Sequence, residues 1–144
     1  MKEDEYFMLK ALSLARKAEG KTRPNPLVGA LVVKNSRIVG KGFHKKAGEP
    51  HGEIEALANA RNRARGATLY TTMEPCTHWG RTGPCTEAII AHGIRRVVIG
   101  SIDPNPLVSG KGVRALRKAT IDVTLNVLAK EAKRINESYF FFMK

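Results

Sequence analysis

Residues 68–100 read TLYTTMEPCTHWGRTGPCTEAIIAHGIRRVVIG, and this stretch decides the fold. Thr68–Met73, rich in Thr, Tyr and Leu, has the make-up of a strand. A loop of Pro, Gly, His and Trp follows from Glu74 to Pro84. Thr86–His92 is predicted helical with Gly93 as its cap, and Arg96–Gly100 is an apolar, β-branched strand. Strand, helix, strand in that order predicts parallel neighbours in a sheet covered on both faces.

The pattern continues outward in both directions. Towards the C-terminus come a Pro/Gly loop over Asp103–Gly112, a short helix over Val113–Ala119, a strand over Ile121–Val127 and a last helix over Leu128–Tyr139. Towards the N-terminus, a helix runs from His51 to about Arg65 and is ended by Gly66. Leu27–Val33 and Arg37–Phe43 flank Asn35-Ser36 and read as a β-hairpin, which makes the sheet mixed. Residues 4–18 carry Phe7, Met8, Ala11, Leu12, Leu14 and Ala15 at three-to-four spacing, an amphipathic helix stopped by Gly20. The order α-β-β-α-β-α-β-α-β-α has no linker, so one domain is expected over 1–144. Pro-Asn-Pro-Leu-Val occurs at 24–28 and again at 104–108, but the flanking elements differ and no fold repeat is inferred.

Apolar residues make up 42% of the 144 and charged residues 26%, the balance of a globular protein. No apolar run approaches the ~18 residues of a membrane span. The opening Met-Lys-Glu-Asp-Glu has no secretory character, so a cytoplasmic location is expected. Lys and Arg number 25 against 13 Asp and Glu, a net charge of +12. That excess favours an anionic partner, either nucleic acid or a phosphorylated small molecule. A merely solvated basic surface accounts for it equally well.

The two cysteines, Cys76 and Cys85, read as a metal or catalytic pair rather than a disulfide in a chain with no export signal. His51 opens a helix, Pro75-Cys76 ends a strand, and Cys85 opens the next helix. One histidine and two cysteines are three zinc ligands, which leaves the fourth tetrahedral position for water. His44, His78 and His92 stand as candidates to close the site instead. Two thiolates balance the charge of Zn²⁺, and a bound water is acidified towards a pKa of ~7. A carboxylate is then needed to move the proton, and Glu53 lies two residues beyond His51. His-x-Glu followed by Pro-Cys-x-x-Cys is the layout of zinc deaminases. Here eight residues, not two, separate the cysteines. Two cysteines packed as small hydrophobes are the plain alternative.

Five strings occur in one order: Pro24-Asn25-Pro26-Leu27-Val28-Gly29-Ala30, Pro50-His51-Gly52-Glu53, Glu74-Pro75-Cys76-Thr77-His78, Gly80-Arg81-Thr82-Gly83-Pro84-Cys85 and Asp103-Pro104-Asn105-Pro106-Leu107-Val108. Together they closely resemble the deaminase half of bacterial riboflavin-biosynthesis deaminase/reductase proteins, over nearly the whole chain. The eight-residue gap is that family's own spacing. The resemblance implies a cytidine-deaminase-like α/β/α sandwich on a five-stranded mixed sheet. It implies hydrolytic, zinc-dependent deamination of 2,5-diamino-6-ribosylamino-4(3H)-pyrimidinone 5′-phosphate, with Glu53 moving protons. It implies substrate-binding roles for Asn25, His44, His78, Arg81, Asp103 and Asn105, with Arg81 near the phosphate. Turn chemistry at Asp-Pro and Asn-Pro is the plain alternative for Asp103 and Asn105. Gly52 stands where the family usually has Ala, which should loosen the helix start by ~1 kcal/mol. Gly83 stands in place of a common proline. The chain stops near Phe140-Phe141-Phe142, where a bifunctional protein continues into its reductase, so either the two activities are encoded separately or this is a piece of a longer protein; the apolar end is expected to dock onto another copy, as a homo-oligomer, or onto a separate reductase. The competing readings are a tRNA or nucleic-acid deaminase of the same superfamily, disfavoured by the small-substrate loops, and a non-catalytic zinc-stabilised module.

Overall fold

The computed structural model describes residues 2–77 and 84–143. Its strands are β1 (Gly29–Lys34), β2 (Arg37–Phe43), β3 (Thr68–Met73), β4 (Arg96–Ser101) and β5 (Asp122–Thr124). They form one sheet in the order β2-β1-β3-β4-β5. β1 runs antiparallel to β2 and to β3, whereas β3, β4 and β5 are parallel. The predicted mixed sheet and the βαβ unit at 68–100 are therefore both present. Asn35 and Ser36 have φ of 52° and 60°, the left-handed pair that a tight hairpin needs.

Alternation along the strands divides the core. Ala30, Val32, Leu69, Val97 and Ile99 point to one face, where α2 (Gly52–Ala60), α3 (Cys85–Ala91) and α4 (Lys111–Lys118) cover them. Leu31, Val33, Tyr70 and Val98 point to the other, against α1 (Lys2–Arg16) and α5 (Ala129–Ile135). The result is the three-layer α/β/α sandwich. Asp4 of α1 accepts hydrogen bonds from Tyr70 Oη at 2.7 Å and from the Arg96 guanidinium at 3.0 and 2.7 Å. Arg96 also donates to Thr124 at 3.0 Å, so one buried carboxylate ties the first helix to β3, β4 and β5.

Three elements differ from their sequence reading. The helix after His51 ends at Ala60, because Arg61 has φ of 55°, and a 3-10 turn over Arg61–Ala64 completes the segment. The last strand pairs regularly with β4 only over Asp122–Thr124; Asn126 and Leu128 take positive φ and interrupt the ladder, and Val127 N makes a single further bond to Ile99 O at 3.2 Å. The last helix is broken at Asn136 into α5 and α6 (Glu137–Met143). Asn136 has φ of −117°, and its side chain accepts from Leu27 N at 2.7 Å and donates to Leu27 O at 2.8 Å. Two-way pairing with a backbone 109 residues away replaces the helical continuation. No helix among the described residues is long and apolar enough to cross a membrane.

The C-terminal ends of β3 and β4, the start of β1, the end of β2 and the starts of α2, α3 and α4 lie at one rim of the sheet. This is the edge at which open α/β sheets place their ligands.

Candidate metal centre

His51 is the residue before α2, Cys76 follows β3 by three residues, and Cys85 is the first residue of α3. The fold brings their ligand atoms within 4.8 Å of one another. His51 Nδ1 lies 3.2 Å from Cys85 Sγ and 3.8 Å from Cys76 Sγ. The Cys85 backbone N–H donates to Cys76 Sγ at 3.4 Å. The two cysteines are free, so both sulfurs are available as ligands. Hydrogen bonds from the Cys85 thiol and from His51, against the opposing effect of burial, hold Cys76 down at about 4. The bond to Cys76, followed by burial, pushes the Cys85 thiol up. A metal held here would take both sulfurs as thiolates. The bond to Cys76 likewise raises the pKa of His51. An imidazole and two sulfurs on three converging segments fit a zinc ion, and no fourth protein donor joins them among the described residues. His44 and His92, both candidates to close the site, bond elsewhere.

Glu53 sits in the first turn of α2 and is 3% exposed. Its Oε1 is a buried side-chain oxygen with no hydrogen-bond partner among the described residues. Burial, opposed by the nearby His51, raises its pKa to about 7. A carboxyl poised there exchanges a proton readily at neutral pH. The residue between it and His51 is Gly52. A Cβ on Gly52 would come 2.9 Å from the Val28 carbonyl oxygen, so the helix start packs directly on the approach to β1.

His44, directly after β2, is buried beside the metal residues, its ring 5.3 Å from that of His51. His44 Nδ1 lies 3.1 Å from the Pro50 carbonyl oxygen. A carbonyl only accepts, so Nδ1 carries the hydrogen. Burial lowers the His44 pKa and keeps the ring neutral, which leaves Nε2 as the lone-pair end. Asn25 Nδ2 then donates to Nε2 across 3.2 Å. Oδ1 is left as the acceptor end of the same amide. Thr22, absent from the sequence reading, holds Asn25 in place: its Oγ1 donates to Asn25 O at 2.9 Å, and its carbonyl accepts from Asn25 N at 2.7 Å. A cavity of about 760 Å³ opens beside Asn25 and is lined also by Thr22, Arg134 and Tyr139.

Asp103 and Asn105 lie on the connection from β4 to α4. Asp103 Oδ1 accepts from Asn105 N, and Asn105 Oδ1 accepts from Leu107 N, each at 3.0 Å. Both side chains therefore shape consecutive turns. Tyr139 of α6 donates to the Asp103 carboxylate at 3.1 and 3.3 Å. His78 and Arg81 lie outside the described residues, as does Gly83. Glu74, between β3 and Cys76, was missed by the sequence reading. Its buried carboxylate accepts from three backbone N–H groups of the 103–113 segment. The signal for it was faint: an acidic residue at the end of an apolar strand.

The sequence matches the family described as the cytidine and deoxycytidylate deaminase zinc-binding region over residues 1–101. It is 57% identical to the riboflavin biosynthesis protein RibD of Aquifex aeolicus, over 97% of this chain and 39% of that protein. It is 49% identical to the diaminohydroxyphosphoribosylamino-pyrimidine deaminase of Buchnera aphidicola subsp. Schizaphis graminum, over 99% of this chain and 97% of that protein. The solved structure of Acinetobacter baumannii RibD superposes with a TM-score of 0.97 at 45% identity, covering 99% of this chain and 40% of that one. The chain thus spans about two fifths of the length of the RibD proteins it matches.

Proposed function

The chain belongs to the cytidine and deoxycytidylate deaminase zinc-binding family, and on that premise we propose that it hydrolyses an amino group, as ammonia, from 2,5-diamino-6-ribosylamino-4(3H)-pyrimidinone 5′-phosphate in riboflavin biosynthesis. The observation that carries the reading is Glu53: a buried carboxyl whose Oε1 has no partner among the described residues and whose pKa is raised to about 7, two residues from His51. A structural zinc site has no use for such a group. The Buchnera relative, matched over 97% of its own length, bears the name of this activity.

In this reading His51, Cys76 and Cys85 hold the zinc, which when bound supplies the Lewis acidity that makes water nucleophilic at neutral pH. Glu53 Oε1 takes a proton from the attacking water and delivers it to the ring nitrogen beside the amino-bearing carbon. Glu53 then takes the remaining proton from the new hydroxyl and gives it to the amine as the C–N bond breaks, so that ammonia leaves and a ring carbonyl remains. Asn25 offers Oδ1 as an acceptor for an N–H of the substrate, in an orientation set by His44. Asp103 and Asn105 serve as further substrate contacts from the β4–α4 connection, and His78 and Arg81 serve the ribose phosphate. An Arg would grip that phosphate bidentately. The net charge of +12 suits such an anion. The proposal extends to a cytoplasmic setting, a reductase acting on the same pathway, and self-association through the apolar end of α6.

The direct test is ammonia release from this pyrimidine phosphate. Turnover should be lost on treatment with a zinc chelator and restored by added Zn²⁺. Turnover that persists in metal-stripped protein would sink the reading.

A further inference from the structure

Glu74 is the one buried carboxylate at the site that the chemistry above does not use. Oε1 accepts from Asp103 N and Gly110 N, both at 3.1 Å, and Oε2 accepts from Val113 N at 3.0 Å. Its own backbone N–H donates to Ser101 O at 2.9 Å. Gly110, the residue before α4, has no side chain with which to cap that helix. Glu74 supplies the missing cap from another element, its Oε2 accepting from Val113 N in the first turn. The contact is also sterically closed. A Cβ on Gly112 would stand 2.2 Å from Pro75 O and 3.0 Å from Glu74 Cγ.

Glu74 is two residues from Cys76, and the segment that it grips carries Asp103 and Asn105. We propose that Glu74 is a positioning residue, one carboxylate that holds the Asp103–Val113 loop in register with the metal-bearing segment. A plain helix cap would stabilise α4 and nothing more. A register clamp also sets how far the substrate-facing loop stands from the Cys76 side of the pocket. If that distance changes, a loop contact to the substrate is lost, which weakens binding about tenfold, while the proton-moving carboxyl on α2 stays in place. The proposal rests on the deaminase reading for its substrate, but the clamp itself is observable without one.

Glu74→Gln tests it, since the amide turns an NH₂ towards N–H donors where an oxygen now accepts. Expected are full zinc content, kcat within about threefold of the parent, and KM raised about tenfold or more. Hydrogen exchange at the amides of Asp103, Gly110 and Val113 should quicken at least about tenfold, with β4 amides unchanged. A parental KM, or exchange that quickens equally across β4, overturns the proposal. If Glu74→Gln fails to fold, Gly112→Ala wedges the same contact with Glu74 intact and should show the same KM-selective loss and local exchange; parental values there overturn it too. A parent protein that releases no ammonia removes the substrate assignment, and the exchange measurement then judges the clamp by itself.

Discussion

Glu53 Oε1 is buried without a partner among the described residues, an arrangement that costs a folded chain about 1–3 kcal/mol. Such a cost persists where the atom has work outside the resting structure. Glu53→Gln should therefore keep zinc and melt no lower than the parent, while kcat falls about 10³-fold. Metal analysis, a thermal melt and ammonia release read these three quantities, and a variant with parental kcat refutes the proton-moving role. Asn25 carries a second residue-scale prediction. Asn25→Asp sets a carboxylate oxygen against the lone pair of His44 Nε2, where an N–H now donates at 3.2 Å. KM for the pyrimidine phosphate should rise about tenfold or more, the equivalent of one good hydrogen bond. An unchanged KM would show that the Asn25–His44 pair does not orient the substrate. His51, Glu53, Cys76 and Cys85 were legible in the sequence because their chemistry is rare and their order is telling. Thr22, Glu74 and Tyr139 were not, because their roles consist of bonds to backbone groups or loops that only the fold brings near.

Between elements, the bond from Asp4 to Tyr70 and Arg96 is the main polar tie across the α1 face. Burial alone would push the Asp4 pKa up, but the hydrogen bonds from Arg96 and Tyr70 prevail and set it below its ordinary value. A depressed carboxylate contributes stability above its unfolded pKa of about 3.9 and loses it as the pH falls through the folded value. Asp4→Asn should cost about 2–3 kcal/mol at pH 7 in a denaturant melt. The gap between parent and variant should close as the pH falls below about 4. A gap that is constant down to pH 3 would show that the carboxylate charge is not what stabilises. Sheet and helix order were legible because apolar alternation and Gly/Pro punctuation follow local rules. The breaks at Arg61 and Asn136 were not. At Asn136 a tertiary demand, the pairing with Leu27, overrides a continuous helical pattern; at Arg61 the break is a local turn of the backbone to positive φ.

At the scale of the whole molecule, the outer surface carries most of the untested consequences. Phe141 of α6 is 74% exposed, and Phe140 beside it is half-buried. If this end docks onto a second copy, Phe141→Ser should lower the mass measured by light scattering while leaving zinc content and ammonia release intact; an unchanged mass counts against self-docking. The pairing of Asn136 with Leu27 acts at the same scale, because it spans 109 residues. Leu27 is two residues from Asn25, so the loop that presents Asn25 is fastened by a side chain made much later on the ribosome. Sheet pairing from β1 to β4 can be complete while that fastening is still unmade, since closing so long a loop is among the slower events of folding. Residues 51–85 are therefore synthesised before the side chain that anchors the Asn25 loop, and that anchor is complete only once residue 136 has emerged.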